Sequence, residues 1–291
     1  MHLKIKIPIS KLEVKGVEDH RIKVRNINVQ GVERTFAYYT PANIKQNCPV
    51  IMACHGAYWN HEIMRRATGF DFEKLADELG FIVAYPDSFS SYWFDGRISF
   101  SHPAKNLDLD EGEFLKRIVH YMATVYGASR RDIFFNGFSN GGMLGFRLAA
   151  EKQPIFRGMA LCCSHLPHEN FLNFQLGSST TPILLINCRG DRVVPFDGGD
   201  LNSAGKSNGV VYSCYDTFLK IAGISKIPLG KDFGEYLLYR DKKNILIEVK
   251  KGGHTIPHPK TSWPPILGEV ANFNSTEIIW KYFKKIIDGD I

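Results

Sequence analysis

The stretch Ile133-Phe134-Phe135-Asn136-Gly137-Phe138-Ser139-Asn140-Gly141 decides the fold of this chain. It joins an apolar run to a G-x-S-x-G turn, and a helix-like segment follows as far as Ala150. This is the strand, turn and helix context of a nucleophile elbow, which holds a serine on a sharp turn. Small residues must flank such a serine, because larger side chains would collide with the strand and helix backbones. The stretch therefore predicts that Ser139 is a nucleophile.

The string has a second interpretation, in which it is a glycine-rich turn with an idle serine. The pattern G-x-S-x-G alone arises by chance in roughly one chain in ten of this length at ordinary glycine and serine usage. Its meaning therefore depends on what the rest of the chain supplies.

The surrounding sequence alternates between strand-like and helix-like segments. Apolar residues recur at helical spacing in 72–79 and 114–125, and short continuous apolar runs indicate strands buried on both faces. These runs are Val50–Cys54, Phe81–Tyr85, Ile133–Phe135, Gly158–Cys163, Ile183–Cys188 and Ile245–Val249. The alternation predicts an α/β fold with a mostly parallel central sheet and helices on both faces.

Two earlier segments, 21–29 and 32–39, predict an antiparallel strand pair around turn material at Asn26 to Gly31. We find no linker or internal repeat, so the expected organisation is one domain over residues 1–291 with an N-terminal extension at 1–20. Residues 196–234 mix Gly, Ser, Asn and Lys with a short helical pattern around Val211 to Ala222. They predict either a lid or substrate-shaping insertion or a plain surface excursion.

Reactive groups in such sheets lie beyond the carboxyl ends of the strands. Asp191 lies three residues beyond the run that ends at Cys188, and His254 follows Gly252-Gly253 beyond the run that ends at Val249. With Ser139 they give the order Ser, Asp, His, which is the order of α/β-hydrolases. In this interpretation His254 takes the proton of Ser139, and Asp191 fixes the imidazole tautomer. Asp197 follows the same strand and is the main rival for the acid.

Acyl transfer also needs backbone donors for the developing oxyanion. The residue after the nucleophile supplies one, so we assign one donor to the amide of Asn140. The second should follow the strand that ends at Cys54, in His55-Gly56-Ala57, and we assign it to the amide of Ala57. The side chain of His55 is expected to be structural. Four side chains are candidates for substrate binding: Tyr58, Trp59, Trp93 and His165. For Trp93, packing in the core is an equal alternative.

With these residues in place, the chain resembles the polyhydroxybutyrate depolymerase and feruloyl or acetylxylan esterase group of α/β-hydrolases from about residue 32 to residue 286. The resemblance implies a cofactor-free serine esterase whose nucleophile, acid and base are Ser139, Asp191 and His254. It is carried by Pro49–Ala57, Tyr85-Pro86-Asp87, Trp93-Phe94-Asp95-Gly96-Arg97, Asn136–Met143, Asp191–Gly199, Gly252–Thr255 and the closing segment Asn274–Phe283.

The chain departs from this group at one position that matters for substrates. The group has a small, glycine-rich loop after His-Gly, whereas Tyr58 and Trp59 place two large aromatic residues there. We therefore expect a narrowed or reshaped acyl pocket. Many of the similar proteins are secreted with a leader, which the sequence Met1-His2-Leu3-Lys4-Ile5-Lys6 does not resemble. The expected location is cytoplasmic, with export by a leaderless route as the alternative.

Composition limits the partners and cofactors. The net charge of +6 is partly concentrated near the N-terminus, but no nucleic-acid motif accompanies it, and a solvated basic rim is the simpler interpretation. No apolar span is long enough for a membrane helix. The six cysteines are expected to be reduced thiols. Cys163-Ser164-His165-Leu166-Pro167-His168 and the pair His254 and His258 contain metal-ligand residue types, but their spacing does not fit a zinc site, so no metal is expected.

The sequence thus predicts a serine carboxylic ester hydrolase that works through an acyl-enzyme. Its expected substrates are small or oligomeric esters of short-chain acyl, hydroxycinnamoyl or 3-hydroxybutyrate type. Two alternatives remain open at this point. One is a serine peptidase of the prolyl-oligopeptidase type, which uses the same residue order but ordinarily brings a further domain. The other is a non-catalytic binding protein with the same fold.

Overall fold

The computed structural model describes residues 12–15, 22–99, 103, 107, 109–151, 155–175, 177–203 and 206–291. Within these residues six α-helices surround the strands. They are α1 (His61–Ala67), α2 (Asp71–Leu79), α3 (Glu111–Tyr126), α4 (Asn140–Ala149), α5 (Cys214–Ala222) and α6 (Ser275–Asp288). The strands are β1 (Glu13–Val14), β2 (Lys23–Val29), β3 (Val32–Tyr39), β4 (Val50–Cys54), β5 (Ile82–Pro86), β6 (Ile133–Phe138), β7 (Gly158–Cys162), β8 (Ile183–Cys188), β9 (Gly199–Ser203), β10 (Lys206–Val211), β11 (Lys231–Asp232), β12 (Tyr236–Asp241), β13 (Asn244–Val249) and β14 (Thr261–Ser262).

The described strands form one large sheet and two small pairs. The large sheet has ten strands in the order β11-β12-β13-β8-β7-β6-β4-β5-β3-β2. From β13 to β5 each neighbouring pair is parallel, and antiparallel strands extend the sheet at both ends. Strand β1 pairs with β14, and β9 with β10. The predicted mostly parallel sheet is confirmed.

Helices cover both faces of the sheet, because each buries an apolar stripe against it. One face holds Met64 of α1, Phe72 of α2 and Phe283 of α6. The other holds Phe114 of α3, with Leu144 of α4 and Phe218 of α5. The parallel strands therefore lie between two apolar layers, which is why the sequence shows them as continuous apolar runs. Among the described helices, none is long and apolar enough to cross a membrane.

The early antiparallel pair is present, but its turn is shorter than expected. The segment predicted as turn material from Asn26 belongs to β2 as far as Val29. Only Gln30 and Gly31 make the turn, both with positive φ (53° and 82°). A two-residue turn of this kind matches the twist of the strands it joins, so the pairing can begin at once. Most of the expected extension at 1–20 lies outside the described residues.

Candidate active site

The nucleophile elbow forms at the end of β6. Ser139 has φ 54° and ψ −118°, a conformation that an L-residue adopts only when its surroundings impose it. A Cβ on Gly137 would lie 2.5 Å from the carbonyl oxygen of Gly141, and one on Gly141 would lie 2.5 Å from those of Cys54 and His55. The two motif glycines therefore allow α4 to start directly against the ends of β6 and β4, which is the steric requirement expected from the sequence.

Ser139, His254 and Asp191 meet in one hydrogen-bonded chain. The Nε2 of His254 lies 2.9 Å from the Oγ of Ser139, and its Nδ1 lies 2.7 Å from Oδ2 of Asp191. An ionised Asp191 only accepts, so Nδ1 carries the proton and Nε2 presents a lone pair to the serine hydroxyl. Three residues from three strand ends thus have the geometry that a nucleophile, a base and an orienting acid require.

The structure distinguishes between Asp191 and Asp197, the two candidates for the acid. Asp191 is buried, and its Oδ1 accepts the backbone amides of Val193 and Val194, both at 2.8 Å. These bonds leave Oδ2 facing His254. The side chain of Asp197 is 90% exposed and is 3.7 Å from Arg189. The structure therefore brings Asp191, and not the rival Asp197, to the histidine.

Two backbone amides beside Ser139 point to no protein acceptor in the described chain. Gly56 lies against the nucleophile, since a Cβ placed on it would be 3.3 Å from the Cβ of Ser139. After it, the amide of Tyr58 donates to the carbonyl of Ser91 at 2.6 Å. The amide of Ala57 has no such bond, and that of Asn140 lies in the first turn of α4, where helical amides lack intrahelical partners. These are the two amides assigned to the oxyanion from the sequence.

His55 supports this loop from the interior. Its Nδ1 lies 2.7 Å from the carbonyl oxygen of Gly56, and its Nε2 accepts the amide of Ser88 at 3.1 Å. The Nδ1–H tautomer satisfies both bonds, so the ring is neutral. Burial lowers the pKa of His55 to about 4, against the opposing effect of Asp87. The structural role expected for His55 agrees with this packing.

Most of the substrate-binding candidates are in the core. Trp59 is buried and stacks on Phe138 with ring centroids 4.8 Å apart. Trp93 has no exposed surface, and His165 is equally buried; neither presents a ring for a substrate to stack on. Of the four, only Tyr58 is half-buried and faces solvent in part. The expected reshaping of the pocket thus depends on Tyr58 alone.

The predicted insertion at 196–234 contains the β9–β10 hairpin and α5. Val211 of β10 and Leu201 of β9 pack on Met143 of α4 and Val194 of the acid loop. Helix α5 starts at Cys214, three residues later than the sequence pattern suggested, because Ser213 caps it by accepting the amide of Asp216. The insertion is therefore attached to both the nucleophile helix and the acid loop.

One cluster in the described chain has metal-ligand atoms close together. A donor atom of Cys163 lies within 4.8 Å of those of Asp191 and His254. The thiol of Cys163 lies 3.2 Å from the carbonyl oxygen of Thr255, and its interaction with the thiol of Cys188, together with burial, raises its pKa. His254 and Asp191 are hydrogen-bonded to each other, and the thiol lies beside this pair. All six cysteines are free and buried.

Asp95 and Arg97 form a buried charged pair for which the sequence predicted no role. In the structure Asp95 accepts from Arg97 Nε at 2.9 Å and from the side chain of Asn140 at 2.7 Å. The signal for this interaction was an Asp and an Arg two residues apart in an otherwise apolar segment. An Asp–Arg pair on the surface contributes little, so the sequence could not assign this pair a role until the structure showed that it is buried.

The sheet order, the elbow and the three strand-end residues define the α/β-hydrolase fold. Residues 93–207 match the family described as phospholipase/carboxylesterase. This match includes Ser139 and Asp191 and ends before His254. In addition, the acetyl xylan esterase from Aspergillus awamori superposes with a TM-score of 0.60 at 14% identity, over 90% of this chain and 99% of that one. At that identity the likeness shows the fold alone.

Among proteins similar in sequence, NocK of Nocardia uniformis subsp. tsuyamanensis, whose name classes it as an esterase, is 30% identical over 64% of this chain and 54% of its own length. Acetylxylan esterase A of Talaromyces purpureogenus is 27% identical over 40% of this chain and 30% of its own length. This chain thus spans about half, or less, of these two relatives. The chain is similar to esterases, and acetylxylan esterases occur among both its sequence and its structure relatives.

Proposed function

We propose that this protein is a serine carboxylic ester hydrolase. The observation that carries the proposal is the continuous contact from Ser139 through His254 to Asp191, beside two backbone amides that have no other acceptor. A buried His–Asp pair and a strained serine each occur for structural reasons. Their meeting at an oxyanion-type pair of amides is what acyl transfer needs.

In the proposed reaction, Oγ of Ser139 attacks the ester carbonyl while Nε2 of His254 takes its proton. The carbonyl oxygen becomes an anion and accepts hydrogen bonds from the backbone amides of Ala57 and Asn140. Collapse of this intermediate releases the alcohol, which takes the proton back from His254, and leaves an acyl group on Ser139. Water then attacks the acyl-enzyme with His254 again as base, and the acid departs. Asp191 stabilises the imidazolium in both steps.

Acetyl esters are the substrates we favour, because acetylxylan esterases recur among the proteins similar in sequence. Hydroxycinnamoyl and 3-hydroxybutyrate esters are the further classes that the sequence resemblance implies. Every group the reaction uses is a side chain or amide of this chain, so we propose no cofactor.

The proposal is tested with four esters and two proteins. p-Nitrophenyl acetate, p-nitrophenyl butyrate, methyl ferulate and a 3-hydroxybutyrate oligomer are offered to wild type and Ser139→Ala, and both are treated with a fluorophosphonate. We expect fluorophosphonate labelling and ester turnover in wild type alone, with a fall of at least about 10⁴-fold in the variant. Labelling without turnover of any ester would favour a peptidase. Absence of both would favour a binding protein and overturn the proposal.

A further inference from the structure

The two amides assigned to the oxyanion come from elements far apart in sequence. Ala57 follows β4, and Asn140 begins α4. Both must point at one oxygen, and a displacement of a few tenths of an ångström in either loop would weaken its bond. Something in the structure must therefore fix the loop after β4 relative to the start of α4.

The side chain of Asn140 holds the backbone of a third segment. Its Oδ1 accepts the amide of Trp93 at 2.8 Å, and its Nδ2 donates to the carbonyl of Trp93 at 3.3 Å. Nδ2 also donates to Oδ2 of Asp95 at 2.7 Å. Asn140 is 2% exposed, and both polar atoms of its side chain are bonded. Only a primary amide can accept from an N–H and donate to a carbonyl and a carboxylate at the same time.

The same tryptophan reaches the other loop. The indole Nε1 of Trp93 donates to the carbonyl of His55 at 2.8 Å. The ring of His55 in turn contacts the carbonyl of Gly56 and the amide of Ser88, which fixes the two residues before Ala57. A buried path of hydrogen bonds thus runs from one oxyanion amide to the other through Asn140, Trp93 and His55.

A charged pair anchors the middle of this path. Both Nε and Nη2 of Arg97 donate to Oδ2 of Asp95, at 2.9 and 2.7 Å, and the amide of Arg97 reaches Oδ1 at 3.1 Å. Asp95 and Arg97 are 3% and 6% exposed. A buried carboxylate that is fully paired is rigid, because every displacement leaves a charge uncompensated. The acceptor of Asn140 Nδ2 therefore stays in place.

We propose that Asn140 and Trp93 are positioning residues, whose side chains keep the two oxyanion amides directed at one oxygen. We name this path, Asn140–Trp93–His55 with its anchor Asp95–Arg97, the oxyanion clamp. The clamp rests on the proposed function and deepens it. The backbone amide of Asn140 acts on the substrate, and its side chain acts, through Trp93, on the loop after β4. Trp93, for which the sequence left substrate stacking and core packing as alternatives, acts here through its indole N–H.

The main variant is Asn140→Ala, which keeps the backbone amide and removes the clamp. Its matched control is Asn136→Ala, because Asn136 is an equally buried asparagine on β6 whose Nδ2 donates only to the carbonyl of Ala160 and weakly to Cys162. Trp93→Phe removes one indole donor and retains most of the packing. Trp280→Phe, a buried tryptophan on α6 that stacks on Phe81, is its control.

Three quantities are measured for each protein: kcat and KM for p-nitrophenyl acetate, the affinity for a trifluoromethyl ketone that forms an oxyanion on Ser139, and the free energy of unfolding in urea. Loss of one complete donor costs roughly a hundred- to a thousand-fold in rate. Misalignment should cost less, so we expect kcat of Asn140→Ala to fall by about 10- to 100-fold with KM within about threefold. The ketone affinity should fall by a similar factor, and Trp93→Phe should show the same pattern at smaller size.

The controls distinguish a positioning role from a purely structural one. A purely structural role would lower the unfolding free energy of all four variants and leave kcat per fluorophosphonate-titrated site and ketone affinity unchanged; that result would overturn the clamp while the esterase proposal stood. If Asn140→Ala does not fold, Trp93→Phe against Trp280→Phe decides the same question. A wild type that neither reacts with fluorophosphonate nor hydrolyses any ester would overturn the proposed function and the clamp together.

Discussion

His254 and His258 lie four residues apart after β13, and each is buried against an aspartate. His254 Nδ1 is 2.7 Å from Asp191, and His258 Nε2 is 3.0 Å from Asp71. The difference lies at the other nitrogen. That of His254 faces the hydroxyl of Ser139, whereas that of His258 accepts the amide of Lys260 at 3.1 Å. A His–Asp pair becomes a catalytic dyad only where the second nitrogen is left for a nucleophile.

The surroundings of the two histidines agree with this division. A Cβ on Gly69 would lie 2.2 Å from the ring of His258, so this imidazole is packed against backbone with no room for a ligand. Asp71 begins α2 and is also bonded by Asn274, the residue that caps α6. Asp71 therefore links His258 and the cap of α6 to the start of α2. Burial alone would raise the pKa of Asp71, but the bonds from His258 and Asn274 bring it below the ordinary value.

The comparison predicts its largest effect at His254. His254→Ala should lower kcat/KM for p-nitrophenyl acetate by about 10⁴- to 10⁶-fold, because no other base is within reach of Ser139 in the described chain. Loss of the imidazole also leaves the buried carboxylate of Asp191 underpaired, so the unfolding free energy in urea should fall by about 1–3 kcal/mol, as at His258. Retention of more than a tenth of the wild-type kcat/KM would contradict the role assigned to His254.

The next effect concerns the acid. Asp191→Asn should lower kcat by about 10³- to 10⁴-fold, since an amide in place of the carboxylate favours the wrong imidazole tautomer. Asp197→Asn is the matched control on the same loop and should stay within about twofold, because its carboxylate is 90% exposed. Equal losses in the two variants would show that the loop, and not the carboxylate, matters.

At His258 the expected change is in stability. His258→Ala removes a buried hydrogen-bond donor to Asp71 and leaves that carboxylate underpaired, so the unfolding free energy should fall by about 1–3 kcal/mol. Below the melting transition, kcat should remain within about threefold of wild type. A loss of kcat as large as that of His254→Ala, in a folded protein, would remove the distinction between the two histidines.

The smallest expected effect is a pH dependence of stability from two other buried histidines. Burial lowers the pKa values of both His55 and His165 to about 4. Both rings are neutral in the folded protein, whereas the unfolded chain binds protons near pH 6.5. Unfolding therefore takes up as much as one proton per ring between about pH 6.5 and 4, and the unfolding free energy must fall as the pH falls through this range.

The measurement is the slope of unfolding free energy against pH between about 4.5 and 6 in wild type and His165→Asn. The variant should show the shallower slope, by up to about one proton. His168→Asn, at a half-exposed ring that stacks on Tyr212, is the control for replacing a histidine by asparagine as such. Identical slopes in wild type and His165→Asn would mean that His165 is protonated equally in both states.

The parts of the site that the sequence predicted well are local. The elbow depends on nine consecutive residues, in which apolar spacing, two glycines and a serine impose one backbone path. The strand ends were located because fully buried parallel strands read as continuous apolar runs. The direction of side chains was harder to predict: Trp59, Trp93 and His165 have binding residue types at loop positions, and all three are buried, as the alternative of core packing had allowed for Trp93. Residue type does not report the direction of a side chain after the end of a strand.

By itself, then, the sequence determined the α/β class, the elbow at Ser139 and the order of its partners, because these follow from short-range sterics and from periodicity. The tertiary structure alone decided between Asp191 and Asp197, placed His258 against Asp71 and put Asn140 and Trp93 in the middle of a clamp. The physical reason is common to all three. Each depends on which atoms converge from strand ends that are far apart in the chain, and on which polar groups are left without a partner once the interior is packed.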